Sequence, residues 1–506
     1  MLLDFYRKVK NTFFYNLDEI FFLAKVPKVK KDLIYKKNIL LNATEDYKSL
    51  CFGYLLSKEK KFYKYNFIFF LPLLSWYKVN YKKNFIRFIF SFYFNILILY
   101  FRNLKWKNLY KKFGTVFISF NNTNIIKEIF YIKRAEIILS GIKNKKQLQL
   151  LKINNIKVGD LVYDTYLRFS DRTTVDLKDF FLIEVFSKTL NTLEKVKKIN
   201  LHYNINFFFT NQLAYIYHGI ISRFIKNHRV KNFMWTSGAY YSSLSKYFYS
   251  YNFRKYKNIF MRLNFKKFKI IQAKNLLKEK FSGKIIPQEN FMPLSVYNSE
   301  KEFIIPKIKG VIFLHCFVDS PTSRGDNIFD DFQDWTISTL NFFHKNNFDK
   351  VIAVKPHPDS KPPSLKFVNQ LKKRFPDFIW LDPKTSNKLI FKKKPLFGTT
   401  VMGTVLHELA YHNIIPISAG EHGALAYNFV KTAKNKIDYF DLLDKAINKK
   451  IKYRFKKKEI YEWVYMSYLH DESEKDLLSK KINLKDWNFK DNKILTRFTK
   501  IVNEYS

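Results

Sequence analysis

Cysteine is almost absent. Only Cys51 and Cys316 occur in 506 residues, far apart and in no metal-type spacing. A disulfide framework and a cysteine-based zinc site are thereby excluded, and a reducing cytoplasm is the expected setting. Acid is also scarce, with 43 Asp plus Glu against 90 Lys plus Arg and a formal charge of +47. Acidic residues are missing altogether between Glu59 and Glu128, and again between Glu194 and Glu279. No Walker lysine loop is present, which excludes a P-loop ATPase. No uncharged apolar run reaches membrane length. The most apolar, Phe88 to Phe101, is 14 residues long and holds Asn95, so a buried or interfacial helix is expected there. Asp4, Arg7, Lys8 and Lys10 interrupt the first turns, so no signal peptide is expected.

Apolar residues make up 47% of the chain, enough for two or three domains with a large core. The positive charge has two readings. A chain dense in Lys, Asn, Ile, Phe and Tyr carries much of its lysine as compositional drift. The alternative is a polyanionic partner, membrane lipid or nucleic acid. Drift accounts for most of the charge, but its concentration in the N-terminal half suits an anionic surface or substrate. No nucleic-acid recognition motif accompanies it.

Apolar periods and turn residues alternate as α/β. Residues 1 to about 45 read as a short helix and a basic linker. Strands are expected at Phe67–Leu74 (interrupted by Pro72), Thr115–Phe120, Glu136–Leu139, Asn206–Thr210, Asn232–Trp235 and Lys267–Gln272. Helices are expected at Phe85–Lys112, Ile125–Ile132 and Asp176–Lys195, with Gly159 to Arg168 a loop running into a helix. Pro287, Pro293 and Pro306 mark an interdomain linker between Ile285 and Lys307. Beyond it come βα units: strands at Gly310–Leu314, Lys350–Val354, Phe378–Leu381, Pro395–Phe397 and Ile414–Ser418, and helices at Phe332–Asn346, Pro363–Phe375, Thr385–Lys392 and Thr404–Tyr411. That order predicts a parallel, doubly wound sheet. The domains are therefore 1–290, 307–450 and a charged helical tail, 451–506.

Val351-Ile-Ala-Val-Lys355-Pro-His357-Pro358 carries the sharpest chemical signal. A short apolar run stops at a cation, a proline, an imidazole and a second proline, as a buried parallel strand ends at a ligand crevice. Lys355 and His357 together suit a phosphate or another anion. The loop His315 to Asp326 follows the preceding strand and offers Asp319, Ser320 and the guanidinium fork of Arg324; a capped turn explains it equally well. Gly398-Thr-Thr-Val-Met-Gly403-Thr404 is a small-residue loop feeding a helix, and it can cradle a phosphate. Glu408, one turn on, can accept hydrogen bonds from a ribose. Ala419-Gly-Glu421-His-Gly423 is a second glycine loop or a plain turn. Three strand ends with anion-binding chemistry argue for a nucleotide or diphosphate site. In the N-terminal half, Asp160, Asp164 and Arg168 are polar candidates; each suits helix capping, and a carboxylate facing the crevice suits a base. Ser237, in Thr236-Ser-Gly-Ala-Tyr240, can touch an acceptor or simply form a turn.

The C-terminal half resembles the GT-B glycosyltransferases of bacterial capsular and surface polysaccharide biosynthesis. The resemblance rests on Asp319-Ser-Pro with Phe332-x-x-Trp335, on Lys355-Pro-His357-Pro, and on Gly403-Thr404-x-x-x-Glu408 leading to Ala419-Gly-Glu421. It implies two Rossmann-like domains with parallel sheets facing across a cleft, a nucleotide-activated sugar donor as substrate, no required metal and no cofactor. It also implies that His357 contacts the donor phosphate and Glu408 the nucleoside. Asn413, Ile414 and Ile415 depart from the Gly, small apolar residue and Pro that such proteins often carry after the helix, with Pro416 one position late.

The leading expectation is a glycosyltransferase acting on a polysaccharide or glycolipid acceptor. Lys355, His357, Thr404 and Arg324 would grip the donor phosphates, and Asp160 would serve as base. The rivals are a CDP-linked polyol-phosphate transferase of teichoic-acid type and a non-enzymatic binder of nucleic acid or membrane. Peripheral attachment to the inner face of the inner membrane, through anionic lipid, is a further expectation.

Overall fold

A computed structural model describes residues 15–25, 37–42, 47–58, 62–71, 76–114, 116–119, 124–228, 230–234, 242–243, 253–286, 304–323, 325 and 327–470. Arg324, Ser237, Pro72, Pro287, Pro293 and the tail beyond 470 lie outside them. The chain divides into two compact units. Among the described residues, the first unit holds those up to Tyr166 and from Asp176 to Ser243. The second holds Leu167–Val175 and those from Phe253 onward.

The first unit runs α1 (Leu17–Lys25), β1 (Asn38–Asn42), α2 (Tyr47–Lys58), β2 (Asn66–Leu71), α3 (Phe85–Tyr110), β3 (Val116–Ser119), α4 (Ile125–Ser140), α5 (Lys145–Leu150), the hairpin β4 (Lys152–Ile153) and β5 (Ile156–Lys157), α6 (Gly159–Phe169), α7 (Phe180–Tyr203), β6 (Ile205–Thr210), α8 (Ile216–Asn227), β7 (Lys231–Met234) and β8 (Ser242–Ser243). Its main sheet has the order β3-β2-β1-β6-β7-β8, parallel except for β8. Every residue of β1 and β2 is buried, as strands covered on both faces must be. Ile39, Leu41, Phe67, Phe69 and Phe209 pack on Phe22, Leu50, Leu99, Trp106 and Tyr110 from α1, α2 and α3. The asparagine-rich composition has a local consequence: Asn84, Asn124 and Asn144 each accept a backbone N–H at the start of α3, α4 and α5. Gly159 opens α6 where a Cβ would lie 1.6 Å from the Leu148 carbonyl oxygen, so only glycine fits.

The second unit continues with α9 (Tyr256–Arg262), α10 (Lys266–Phe281), β9 (Gly310–Phe313), α11 (Phe332–Lys345), β10 (Ile352–Lys355), α12 (Pro362–Arg374), β11 (Ile379–Trp380), α13 (Asn387–Lys392), β12 (Phe397–Thr400), α14 (Val405–Tyr411), β13 (Ile415–Ser418), β14 (Lys431–Thr432), α15 (Lys436–Ile447) and α16 (Lys458–Val464). All six strands are parallel, in the order β11-β10-β9-β12-β13-β14. One face carries Ile312, Val354 and Ile417 against Trp335 and Leu443. The other carries Val311, Phe313 and Ala353 against Ile390 and Leu409. Numbered along the chain, each main sheet reads 3-2-1-4-5-6, the Rossmann order. The fold is therefore α/β with two Rossmann-like units, the GT-B-like class expected.

Four sequence expectations are corrected. Glu136–Leu139 is the end of helix α4, whose buried Glu128, Tyr131, Ile132, Ala135 and Leu139 follow a helical period. Lys267–Gln272 lies in α10, for the same reason: Ala273, Leu276, Leu277 and Lys280 form its buried face. Gly398, Thr399 and Thr400 belong to central strand β12 and not to a loop, because they pair with β9 and β13. The domain limit at 290 also shifts. Helices α9 and α10 pack with α14 and α16 through Phe260, Leu277, Leu406, Ile460 and Trp463, so they and residues 458–470 belong to the second unit. The apolar segment Phe88–Phe101 sits inside a 26-residue helix, which by length and composition is long and apolar enough to cross a membrane.

Candidate functional site at the carboxyl edge of the second sheet

In this sheet the strand order reverses between β9 and β12, and ligand crevices in open parallel sheets lie outside the carboxyl ends at that point. The registers align what stands there. Lys355 pairs with Phe313, Thr399 with Ile312, and Thr400 with Ser418. The ends of β10, β9, β12 and β13 are therefore level, and their four following loops share one edge.

Lys355 is the last residue of β10 and is buried. Its Nζ donates to Asn387 Oδ1 at 2.6 Å. Asn387 Nδ2 donates in turn to Glu408 Oε2 at 3.0 Å. Glu408 Oε1 faces Lys280 Nζ at 2.9 Å, both side chains 3% exposed. Lys280 thus pairs with the carboxylate directly and Lys355 reaches it through the Asn387 amide, in a poorly screened interior. Burial pushes the Lys355 ammonium down to about 8, with the Glu408 charge opposing the shift. The expectation that Glu408 contacts a nucleoside is corrected, since both its oxygens are engaged below the surface. Its role is to hold the two lysines.

His357 stands two residues beyond the strand end. The Asp359 N–H donates to its Nδ1 at 3.1 Å, and Ser360 Oγ donates to its carbonyl at 2.9 Å. Burial holds its pKa below the ordinary histidine value, against the opposing charges of Asp319 and Asp359. The neutral ring therefore carries its proton on Nε2, which donates to none of the described residues.

The loops beside this turn are tied together. His315 Nε2 accepts the Met402 N–H at 3.3 Å and bonds Thr400 Oγ1 at 2.9 Å, while its ring stacks on Phe332 at 4.2 Å. An antiparallel bridge joins Asn327 to Gly420. Gly325 has φ 145°, and a Cβ there would lie 2.3 Å from Glu421 Oε2. Glu421 is ion-paired with Arg254, so its carboxylate is turned to a cation of its own unit and not to a ligand. Asp319 is exposed and accepts the Ser320 N–H at 3.0 Å. Its charge suits a hydroxyl and repels phosphate. Ser320 is buried and accepts from Ser323 Oγ at 2.9 Å. Gly403 and Thr404 precede α14, and Thr404 is exposed with no side-chain cap. Among the described residues no three His, Cys, Asp or Glu side chains gather as a metal group.

The candidates in α6 fare differently. Asp160 is held by Arg223 in a two-pronged bond, Nη1 to Oδ1 at 2.6 Å and Nη2 to Oδ2 at 2.9 Å, and it is buried. A general base needs an oxygen that a substrate proton can reach, so Asp160 is corrected to a residue that fastens α6 to α8. Asp164 is also buried in the first unit, whereas Arg168 is exposed in the second. A group absent from the expectations marks the order reversal of the first sheet, between β1 and β6. Asn42 Nδ2 lies 2.7 Å from His218 Nδ1 and 3.2 Å from Thr210 Oγ1. Burial lowers His218 to about 3, so it is neutral. Strand β1 left little trace in the sequence because Asn-Ile-Leu-Leu-Asn is only five residues long, between a basic segment and Glu45-Asp46. Asn387 and Lys280 had no local signal.

The Lys355 shift carries a pH prediction. Its folded pKa lies below the unfolded value of about 10.4, so the unfolded chain binds the extra proton between those limits. Stability of the second unit is expected to rise from about pH 8 toward pH 10 relative to Lys355→Met, by about 1.4 kcal/mol per unit of separation. Urea unfolding of both proteins at two pH values checks it; parallel pH profiles would contradict it.

No protein-family model matches the chain, and no curated protein matches it. Solved structures align along most of its length. UDP-GlcNAc 2-epimerase from Methanocaldococcus jannaschii covers 86% of this chain and 99% of its own, at 10% identity and a TM-score of 0.25. UDP-GlcNAc 2-epimerase from Neisseria meningitidis, bound to UDP-GlcNAc, covers 92% and 100%, at 8% identity and 0.24. HepE from Anabaena, in complex with UDP, covers 92% and 99%, at 9% identity and 0.27. Superpositions this loose transfer no site.

Proposed function

We propose that this protein is a glycosyltransferase that moves a sugar from a nucleotide-activated donor to a saccharide or glycolipid acceptor. The carrying observation is the carboxyl edge of the second sheet. There the Nε2–H of a neutral His357 stands two residues from the buried ammonium of Lys355, which is linked through Asn387 and Glu408 to a second lysine, Lys280. Donors fixed before reaction stabilise charge that grows on a leaving diphosphate, because nothing must reorganise as the bond breaks. In this reading Lys355 supplies the field and His357 a directed hydrogen bond, while Thr404 and Gly403 border the same edge. The acceptor hydroxyl is deprotonated by a group other than Asp160.

Thermal denaturation of the full chain with UDP, CDP, GDP, UDP-GlcNAc and CDP-glycerol tests the site. Wild type is expected to be stabilised by at least one nucleoside diphosphate or its sugar. His357→Ala and Lys355→Met each remove a hydrogen bond or charge facing phosphate, worth about 1.5–3 kcal/mol, so the affinity falls roughly tenfold to a hundredfold. No stabilisation by any of the five would refute the donor site. Turnover of CDP-glycerol alone would replace the sugar reading with polyol-phosphate transfer. Salt-sensitive DNA binding without any nucleotide response would favour the non-enzymatic reading.

A further inference from the structure

Helix α3 shows an outward face that soluble proteins rarely leave bare. Ile86, Phe90, Tyr93, Leu97, Tyr100 and Leu104 recur every three or four residues, so they form one stripe along the helix. Their exposures run from 42% at Leu104 to 72% at Phe90. The opposite face is fully committed to the first unit. Phe88 and Phe92 pack with Tyr77 and Ile132, and Leu99, Trp106, Leu109 and Tyr110 enter the main core. Lys105 pairs with Glu19 of α1 at 2.7 Å in the same buried side.

We propose that this stripe seats the first unit on an anionic bilayer, with α3 lying in the plane of the interface. Length and composition would also let this helix cross a membrane. A spanning helix, however, needs lipid or membrane-embedded protein all round it. Here one side from Phe88 to Tyr110 is occupied by the packed core of a Rossmann-like unit, so the helix meets lipid sideways. The charge selects lipid over a second copy of the chain. The helix holds no Asp or Glu, and its ends carry Lys82, Lys83 and Arg87 on one side and Lys107, Lys111 and Lys112 on the other. Two such helices face to face would repel, whereas anionic headgroups neutralise both ends at once. Phenylalanine and tyrosine on the stripe suit the boundary, where an apolar body enters lipid and a hydroxyl stays wet. A second outward row, Ile126, Phe130 and Ile137 on α4, adds apolar surface beside exposed Lys133 and Arg134. Phe88 and Phe92 pack with Ile132 of α4, so the two helices adjoin, and Lys82 just before α3 pairs with Glu136 of α4 at 2.8 Å.

Co-sedimentation of the full chain with two kinds of vesicle tests the proposal: pure phosphatidylcholine, and equimolar phosphatidylcholine and phosphatidylglycerol. Wild type is expected to bind the second kind preferentially. Phe90→Ser combined with Leu97→Ser removes two apolar anchors and should lower partitioning at least tenfold, with an unchanged urea midpoint because both side chains are exposed. Arg87→Ser combined with Lys111→Ser should leave the fold intact and lower the preference for phosphatidylglycerol roughly fivefold per residue. Equal binding by wild type and the Phe90/Leu97 variant overturns the proposal, as does equal binding of wild type to the two vesicles. A wild-type dimer in light scattering that the same variant converts to monomer, without vesicle binding by either, assigns the stripe to a second copy and also overturns it. None of these readouts depends on the glycosyltransferase reading.

Discussion

Replacing Glu408 by alanine is expected to cost the second unit about 3–5 kcal/mol. The carboxylate is the only anion in the buried chain Lys280, Glu408, Asn387, Lys355. Its removal leaves two ammonium groups below the surface, where water screens them poorly and desolvation is uncompensated. Asn387 loses its acceptor at the same time, which lets the Lys355 side chain move away from the edge. Urea unfolding followed by the fluorescence of Trp335, Trp380 and Trp463 measures the loss. Asp441→Ala is the control, because its pairing with Lys445 is about half exposed and screened by water, so the unfolding midpoint should stay in place. Adding Lys280→Met to Glu408→Leu should recover much of the stability, since an apolar pair replaces a buried ionic one. If Glu408→Ala lowers nucleotide affinity while leaving the unfolding midpoint in place, the residue faces ligand after all and the structural role assigned to it fails.

Asp160→Ala should be about as damaging, again about 3–5 kcal/mol, and in the first unit. Arg223 is 5% exposed and would lose both bonds to the carboxylate that holds it against the start of α6. The bond from Nη1 to the Lys157 carbonyl at 2.6 Å cannot replace a two-pronged carboxylate. Asp160→Asn keeps one acceptor and should cost less. The two readings of Asp160 separate on a pair of measurements. A fastening residue loses stability, and the surviving folded fraction keeps its rate. A general base keeps stability and loses several orders of magnitude in kcat, which would reverse the correction made above.

The tip of β10 shows how much of the site was legible. An apolar run ending in Lys-Pro-His-Pro must leave its sheet there, because proline has no N–H to donate to a ladder. That rule needs no neighbours, and the structure ends β10 at Lys355. The depth of Lys355 was not legible. It depends on Asn387, 32 residues on, and on Lys280 of α10, a helix whose local pattern imitates a strand. Lys267 to Gln272 holds two lysines alternating with Phe268 and Ile270, the pattern of a half-buried strand. The helical face becomes clear only when Ala273, Leu276 and Leu277 are included.

Asp160 illustrates the same limit from the other side. Its place at the opening of a helix suited capping or catalysis equally, and residue type offered no choice between them. Arg223, 63 residues later, made the choice through space. The α3 stripe is a third case. Sequence showed an apolar stretch without acid, but a stretch apolar on all sides carries no sign of which side the protein will cover.

The sequence by itself determined the parallel βα order of the second sheet, the strand ends that carry polar groups and the one-sided charge. These follow from local rules: period, proline chemistry and composition act within a few residues. Tertiary structure alone decided which of the polar groups remain at the surface and which are spent on one another. A carboxylate buried beside a cation is indistinguishable in sequence from one awaiting substrate, because its partner is chosen by the packing of distant helices.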